Sequence, residues 1–289
     1  MRDTIHALID PPIPVLAVLL LAGILLLGRR IGWARLSAVL AGSIVAVSVG
    51  EVFCRVAGYG KFEIAVWEEP YATGQAYPYV PHGKLVYRYP DNPRGYFNED
   101  NEVIGSINGA GFRGHETTMR KPPEVIRVAF LGDSFALGIG VKDDDTLPAS
   151  FERAMRKSQI RVEALNFGKT ATSTDQQVEL LREYVLQFDP DAVIVVMFLN
   201  DADRIMTIKF LSRPVILARV RNHLHFLNAS FQAVERPLLE RAMVRHYLQG
   251  YDDNSEGWAS IVTALEAGKR LSDEHNVRFF LTVYPVLIH

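Results

Sequence analysis

Three short polar segments of this chain each follow an apolar run. They are Gly132-Asp133-Ser134, Asn166-Phe167-Gly168 and Asn200-Asp201. A serine hydroxyl on a tight turn can act as a nucleophile when a base removes its proton. Glycine lets backbone N–H groups approach a reacting oxygen, and an asparagine amide can donate a hydrogen bond to an oxyanion. These residue types together suit nucleophilic attack on a carbonyl carbon.

Each of the three segments is a weak signal when it is taken alone. A Gly-Asp-Ser tripeptide occurs by chance in roughly one chain in ten or twenty of this length, given average residue usage. An Asn-Asp pair after a strand is more often a turn or a helix cap than an oxyanion donor. The combination carries weight because the segments follow successive predicted strands in order.

The chain after residue 123 has the pattern of an α/β domain. Apolar runs predict strands over residues 125–131, 162–166, 192–199 and 277–284, and amphipathic spacing predicts helices over 146–157, 175–188 and 258–274. Thr174 is the expected cap of the second helix. Strands that alternate with helices form a parallel sheet covered on both faces. Since ligands bind at the carboxyl ends of such strands, we expect the three polar segments to meet in one crevice.

These segments resemble the motif blocks of the SGNH hydrolases, also called GDSL-type esterases. The resemblance covers about residues 125–284 and implies a three-layer α/β sandwich around a parallel, flavodoxin-like sheet. It implies that Ser134 is the nucleophile and that Ser134 N–H, Gly168 N–H and Asn200 form the oxyanion hole. The supporting residues would be Gly132, Asp133 and Asp201. The resemblance implies no cofactor and no metal.

The sequence departs from the family pattern in three places. A second glycine is absent from residues 169–171, and Phe198 stands where the family usually has glycine. The family's Asp-x-x-His block is also missing, since Ser272 precedes His275 by three residues and Val286 precedes His289. We therefore expect the chain to be truncated relative to an active relative, without the C-terminal part of the fold. Of the other histidines, His289 is the nearest candidate for a substitute base.

The expected function is hydrolysis of O-acyl or O-acetyl esters on extracytoplasmic glycans or lipids. Two alternatives stay open at this point. A chain without a base could be a non-catalytic SGNH-fold module that binds a polysaccharide or a membrane partner. The same site could also serve an O-acyltransferase, in which a sugar hydroxyl rather than water accepts the acyl group. The sequence does not give the substrate or the oligomeric state.

Two apolar runs near the N-terminus predict a membrane anchor over residues 1–58. They cover about residues 11–28 and 36–54, and Arg29, Arg30 and Arg35 lie at the turn between them. Eighteen helical residues span about 27 Å, which is close to the thickness of the hydrocarbon core. Positively charged loops of membrane proteins stay in the cytoplasm, so we expect the turn to lie there. The hydrolase domain is then expected outside the cytoplasm.

Two other interpretations of this region are open. A cleaved signal peptide is disfavoured because no A-x-A site follows the first run. If only the first run crosses the membrane, the hydrolase domain lies on the opposite side. Glu51 interrupts the second run, and its spacing from Arg55 allows the two side chains to pair on a helix.

Two further segments surround the predicted hydrolase motifs. Residues 59–123 interleave aromatic residues with Pro and Gly, which predicts short strands and turns that wrap the main domain. Residues 202–256 form an insertion without a strand pattern, rich in apolar and basic residues. This insertion suits a lid or a lipid-facing surface, and equally a helical hairpin that caps the sheet.

Composition excludes several classes of protein. The 289 residues include 31 Lys+Arg and 33 Asp+Glu, a net charge of −2, which argues against a nucleic-acid partner. Cys54 is the single cysteine, so a disulfide scaffold and CxxC metal motifs are excluded.

Overall fold

The structure is a computed structural model that describes residues 29–30, 32–60, 66–68, 78–89, 92, 94–202 and 224–284. The first predicted membrane span, much of the insertion and His289 lie outside the described residues. Among the described residues, 29–60 and 224–243 belong to one compact unit, and the remainder belong to a second. The second unit contains all three polar segments.

The strands of the second unit lie where the apolar runs predict them, and three more precede them. In chain order the strands are β1 (Val66–Glu68), β2 (Lys84–Arg88), β3 (Glu102–Ser106), β4 (Ile126–Gly132), β5 (Val162–Gly168), β6 (Ala192–Met197) and β7 (Arg278–Val283). The α-helices of the described residues are α1 (Trp33–Ala57), α2 (Ser134–Leu137), α3 (Leu147–Lys157), α4 (Thr174–Glu183), α5 (His225–Ser230), α6 (Arg236–Gln249) and α7 (Glu256–Glu274).

The central sheet has the strand order β5-β4-β6-β7, and every pairing in it is parallel. Gly132 at the end of β4 lies opposite Gly168 of β5 on one side and Val196 of β6 on the other. The predicted parallel sheet is therefore confirmed. Its register brings the carboxyl ends of β4, β5 and β6 to one edge.

The core lies between this sheet and its helices. Alternation along β4 and β6 sends one set of apolar side chains to each face, so each face has its own buried cluster. Toward α4 and α7 the buried residues are Phe112, Ala129, Leu131, Leu165, Phe167, Leu181, Val185, Phe188, Val193, Val195 and Val277. On the other face they are Val128, Phe130, Ala136, Ala192 and Val196, against which Leu147 and Phe151 of α3 pack.

The helix after β5 differs from its prediction at both ends. Ser173, not Thr174, is the N-cap, and Gln176 Oε1 accepts a hydrogen bond from Ser173 N at 3.1 Å. Thr174 is instead the first helical residue and is fully buried. The α-helix ends at Glu183, and Val185–Phe188 continues as a 3₁₀ turn that closes at Asp189 with φ 50°. The apolar residues keep a helical spacing through the change from α-helix to 3₁₀ turn. For this reason the sequence predicts a single helix.

The described part of the region before β4 contains short strands and turns, as predicted. Strands β1, β2 and β3 form an antiparallel sheet in that order. The side chains that it buries pack with Leu137 of α2, and they are Tyr79, Leu85, Tyr87 and Ile107. This region therefore shares a core with the helix that begins at Ser134.

In the other unit, α1 covers 25 residues. Among the described residues it is the one helix whose length and composition would allow it to cross a membrane. The predicted pairing is confirmed, since Arg55 Nε donates to Glu51 Oε1 at 2.6 Å. Glu51 Oε2 accepts a second hydrogen bond from Phe226 N of α5 at 2.9 Å. The carboxylate in this apolar helix is thus held by two donors.

Candidate active site

Ser134 lies on a strand–turn–helix junction. Strand β4 ends at Gly132, Asp133 is the N-cap of α2, and Ser134 is its first residue. Asp133 Oδ1 accepts a hydrogen bond from Phe135 N at 2.9 Å, which fixes the first turn. The helix has only four residues and ends at Gly138, whose φ of 84° is accessible to glycine without strain. This sharp turn leaves Ser134 half-buried at the sheet edge.

Glycine at the two strand ends permits close packing of α2. A Cβ atom on Gly168 would lie 2.2 Å from Leu137 N, and one on Gly132 would lie 2.5 Å from Ala136 Cβ. No side chain fits at either distance. The two glycines therefore set how closely the helix of Ser134 approaches the sheet.

The Gly168 N–H is hydrogen-bonded within its own strand end. It donates to Asn166 Oδ1 at 3.0 Å, while Asn166 Nδ2 donates to Leu137 O at 3.3 Å. In this arrangement the amide that the resemblance assigns to the oxyanion hole has a partner already. The following bend, residues 169–173, includes Ala171 with φ 57°. An L-residue with a side chain rarely adopts this region, which favours glycine.

Asn200 and Asp201 lie on a 3₁₀ turn, Leu199–Ala202, that follows β6. Asp201 Oδ2 accepts a hydrogen bond from Phe198 N at 3.1 Å and so closes the turn. The Asn200 carboxamide lies close enough to the carboxylate of Asp133, the residue before Ser134, to oppose the rise of its pKa. The first and third polar segments therefore lie near each other.

Burial dominates the electrostatics of these carboxyl groups. It raises the pKa of Asp133, although hydrogen bonds from Phe135 N–H and Asn200 oppose the rise. Burial also raises the pKa of Asp201 to about 7, and the nearby Asp133 carboxylate adds to that rise. Tyr251, whose hydroxyl donates to Phe198 O at 2.9 Å, has its pKa raised to about 12, chiefly by burial.

A cleft of about 520 Å³ opens beside Ser134. It is mainly apolar, and its lining is Ser134, Phe135, Gly138, Ile139, Val141, Asp145, Leu147, Ser150 and Tyr284. The Phe135 ring packs on Phe198 at 3.9 Å and on Tyr284 at 4.8 Å between centroids. Phe198, which stands where the family usually has glycine, thus supports one wall of the cleft from behind.

Arg113 is a residue of this region to which the sequence analysis gives no role. It is 1% exposed, and its guanidinium donates to Leu137 O at 3.0 Å, Gly138 O at 2.5 Å and Val141 O at 2.6 Å. It also pairs with Asp143 at 2.8 Å. Arg113 therefore holds the carboxyl end of α2 and the loop that follows it. An Arg between apolar residues and glycines, in Gly111-Phe112-Arg113-Gly114, is the sequence signal for such a buried cation.

None of the described histidines lines the cleft. His115 is 80% exposed and lies 3.7 Å from Asp144, and the ring of His275 contacts Leu271 O at 2.8 Å. His223 and His289 lie outside the described residues. The structure thus brings a serine, an amide and two carboxyl groups together, and no described histidine joins them.

Comparisons with known proteins give one family model and several solved structures of low similarity. Curated proteins give no match. Similar solved structures include the esterase AlinE4 of the SGNH-hydrolase family, with 17% identity, coverage of 55% of this chain and 77% of that one, and a TM-score of 0.28. A lipolytic protein of the G-D-S-L family from Desulfitobacterium hafniense DCB-2 is 18% identical, over 54% and 76% of the two chains, with a TM-score of 0.25.

A third solved structure is a catalytic mutant of Axe2, an acetylxylan esterase from Geobacillus stearothermophilus. It is 13% identical over 53% of this chain and 74% of that one, with a TM-score of 0.27. Likenesses of this extent say nothing about the substrate of this chain. The family model described as GDSL-like Lipase/Acylhydrolase matches residues 128–253, and this match supports assignment of the part of the chain that holds Ser134, Gly168 and Asn200 to the GDSL/SGNH hydrolase family.

Proposed function

We propose that this protein is a membrane-anchored serine hydrolase of the SGNH type that cleaves carboxylic esters, with Ser134 as the nucleophile. The observation that carries the proposal is the position of Ser134. It begins a short helix at the carboxyl edge of a parallel sheet, it lines a cleft, and the residue before it lies near Asn200. A serine in this setting is accessible to a substrate and has an amide donor nearby.

The reaction begins when Ser134 Oγ attacks the carbonyl carbon of the ester. A base takes the hydroxyl proton, and the carbonyl oxygen becomes an oxyanion. We assign its hydrogen bonds to Ser134 N–H, the Asn200 amide and Gly168 N–H. Collapse of the intermediate breaks the ester bond, the alcohol leaves with the proton, and water then releases the acid from Ser134. We assign to Asp133 the orientation of Asn200, because one amide hydrogen can serve the nearby Asp133 carboxylate while the second stays available for the oxyanion.

The role of Gly168 requires a local change. Its N–H donates to Asn166 Oδ1, so it reaches an oxyanion only when that hydrogen bond opens. The base is the second requirement. By the family resemblance it is a histidine, and the candidate that the sequence offers, His289, lies outside the described residues.

We propose acylated glycans or lipids on the outer side of the membrane as substrates. The argument for the location is α1, together with the apolar run over residues 11–28 and the arginines between them. The argument for an acyl substrate is the apolar lining of the cleft. An O-acyltransferase would use the same serine and cleft, and the acceptor of the acyl group distinguishes it from a hydrolase.

One observation favours a different class of function. The engaged Gly168 N–H, together with a cleft that no described histidine lines, suits a non-catalytic module that binds an acylated ligand. In that case Ser134 is a contact residue and not a nucleophile.

Labelling with a fluorophosphonate probe separates these functions. We expect the full-length protein to react covalently, and Ser134→Ala to abolish the reaction. Ser150→Ala is the matched control, because Ser150 lines the same cleft and is expected to have no role in the reaction. If the unaltered protein fails to react, or if Ser134→Ala still reacts, the hydrolase proposal is wrong.

A further inference from the structure

A cluster of buried oxygen atoms lies behind Ser134. Among the described residues, five side-chain oxygens at this edge of the sheet are buried and make no well-formed hydrogen bond: Asp133 Oδ2, Thr174 Oγ1, Gln177 Oε1, Asn200 Oδ1 and Asp201 Oδ1. Buried polar atoms of folded proteins nearly always have partners, so such a group needs an explanation. All five atoms can accept a hydrogen bond, and only the Thr174 hydroxyl brings a hydrogen of its own, so the cluster is short of donors.

The cluster contains two buried carboxyl groups and no positively charged partner among the described residues. Asp201 is 2% exposed and Asp133 is 1% exposed. The titratable groups that face Asp201 are Asp133 at the end of β4, Asp175 on α4 and Tyr251 after α6. No described Lys, Arg or His is among them. Two buried carboxylates without a counter-charge cannot both ionise at low cost.

We propose that Asp201 is a positioning residue that works as a neutral carboxylic acid. Thr174 interacts with the Asp201 carboxyl group. In the proposed arrangement the proton on Oδ1 is donated to the Thr174 hydroxyl, whose own hydrogen is then available to Gln177 Oε1. Thr174 and Gln177 are three residues apart on α4, so their side chains share a face. One proton thereby satisfies three of the five oxygens.

This arrangement ties the turn that carries Asn200 to the start of α4. Asp201 Oδ2 closes the turn through Phe198 N, and Oδ1 anchors it to Thr174. Asn200 is then held from two sides, by Asp133 and by the fixed turn. The positioning role rests on the proposed function of Asn200 as an oxyanion donor, whereas the protonation of Asp201 does not.

The proton has a measurable effect on stability. Burial raises the pKa of Asp201 to about 7, whereas an unfolded aspartate titrates near 3.9. Between these values the folded protein holds a proton that the unfolded chain has lost. Stability therefore falls as the pH rises through this range, by about tenfold in the unfolding constant per pH unit, and the fall ends above the folded pKa.

The test compares the unfolding constant of the full-length protein in detergent with that of Asp201→Asn, in which an amide replaces the acid. We expect the ratio of unaltered protein to variant to rise about tenfold per pH unit between about pH 5 and pH 7, and to level off above that. Asp191→Asn is the control. Lys121 and Arg127 N–H hold the pKa of Asp191 below its usual value, so its ratio stays constant over the same range. A constant ratio for Asp201→Asn contradicts the proposal.

Labelling of Ser134 tests the positioning role separately. We expect Asp201→Asn to keep the labelling rate, since its amide still donates to Thr174, and Asp201→Ala to lower it at least tenfold. The rate of the unaltered protein relative to Asp201→Asn is expected to fall above pH 7, when Asp201 ionises. An equal loss in Asn and Ala variants contradicts the positioning role. If no form reacts, the hydrolase function and Asn200's role in it are wrong, while the unfolding ratio still decides the protonation of Asp201.

Discussion

Arg113 shows how much a single buried side chain holds in this site. Its guanidinium replaces water for three backbone carbonyls around α2 and pairs with Asp143. Removing one partner of such a group leaves the others buried without a hydrogen bond. Replacement of Arg113 would therefore destabilise the loop after Ser134 as well as the site of the replacement.

We expect Arg113→Met to lower the free energy of unfolding by about 3–5 kcal/mol, the usual cost of breaking a buried charged network. Denaturant unfolding of the full-length protein measures it. Arg161→Met is the matched control, because the Arg161–Glu124 pair is exposed and such pairs contribute about 0–1 kcal/mol. A similar loss in both variants would show that Arg113 has no special structural role.

Some residue roles follow from the sequence and others do not. The placement of Ser134 and Asn200 at one edge of the sheet follows, because both come after neighbouring parallel strands. The hydrogen bond between Gly168 N–H and Asn166 does not, since it depends on a side-chain rotamer. The role of Arg113 depends on carbonyls more than twenty residues away, which no local pattern encodes.

At the scale of elements, the strands of the central sheet are the best-predicted feature. Continuous apolar runs such as residues 192–197 have few other stable placements than a sheet covered on both faces. The helix caps are less predictable. Ser173 and Thr174 are both good cap residues, and the choice between them depends on Gln176 reaching back to Ser173. Burial of Thr174 beside Asp201 is a tertiary contact that favours the observed choice.

The cleft formed by α2, α3 and the loop between them makes a prediction about acyl chain length. Its volume of about 520 Å³ and its apolar lining exceed what an acetyl group fills. We expect kcat/KM for p-nitrophenyl esters to rise about fourfold per added methylene from acetate to hexanoate, from about 0.8 kcal/mol per buried methylene.

Ser150→Trp tests this use of the cleft, since it places a large ring among the lining residues. We expect it to abolish the gain with chain length and to leave acetate hydrolysis nearly unchanged. Ser158→Trp, at the opposite end of the same helix, is the control, because Ser158 is exposed and does not line the cleft. A chain-length dependence that persists in Ser150→Trp would place the acyl group elsewhere.

At the scale of the whole molecule, the proposed membrane anchor is the feature with the largest functional consequence. Most apolar side chains of α1 are exposed, including Ile44, Val49 and Phe53. An exposed apolar helix of 25 residues is long enough to span a bilayer, at about 37 Å. The sequence predicts two spans, and the first lies outside the described residues.

Topology is the corresponding prediction. A reporter enzyme that is active only outside the cytoplasm, fused after residue 60, is expected to be active, because the arginines between the two apolar runs stay inside. A second fusion after Arg30 is the control and is expected to be inactive. Inactivity of both fusions would mean that only the first run crosses and that the hydrolase domain faces the cytoplasm.

Ala171 adds backbone strain to the bend between β5 and α4. Its φ of 57° costs a residue with a β-carbon about 1 kcal/mol relative to glycine. The bend therefore has a strained alanine where a glycine would adopt the same backbone conformation without strain. Fluctuations of the native state are therefore expected to begin at this corner, and they would be the ones that release the amide of Gly168 from Asn166.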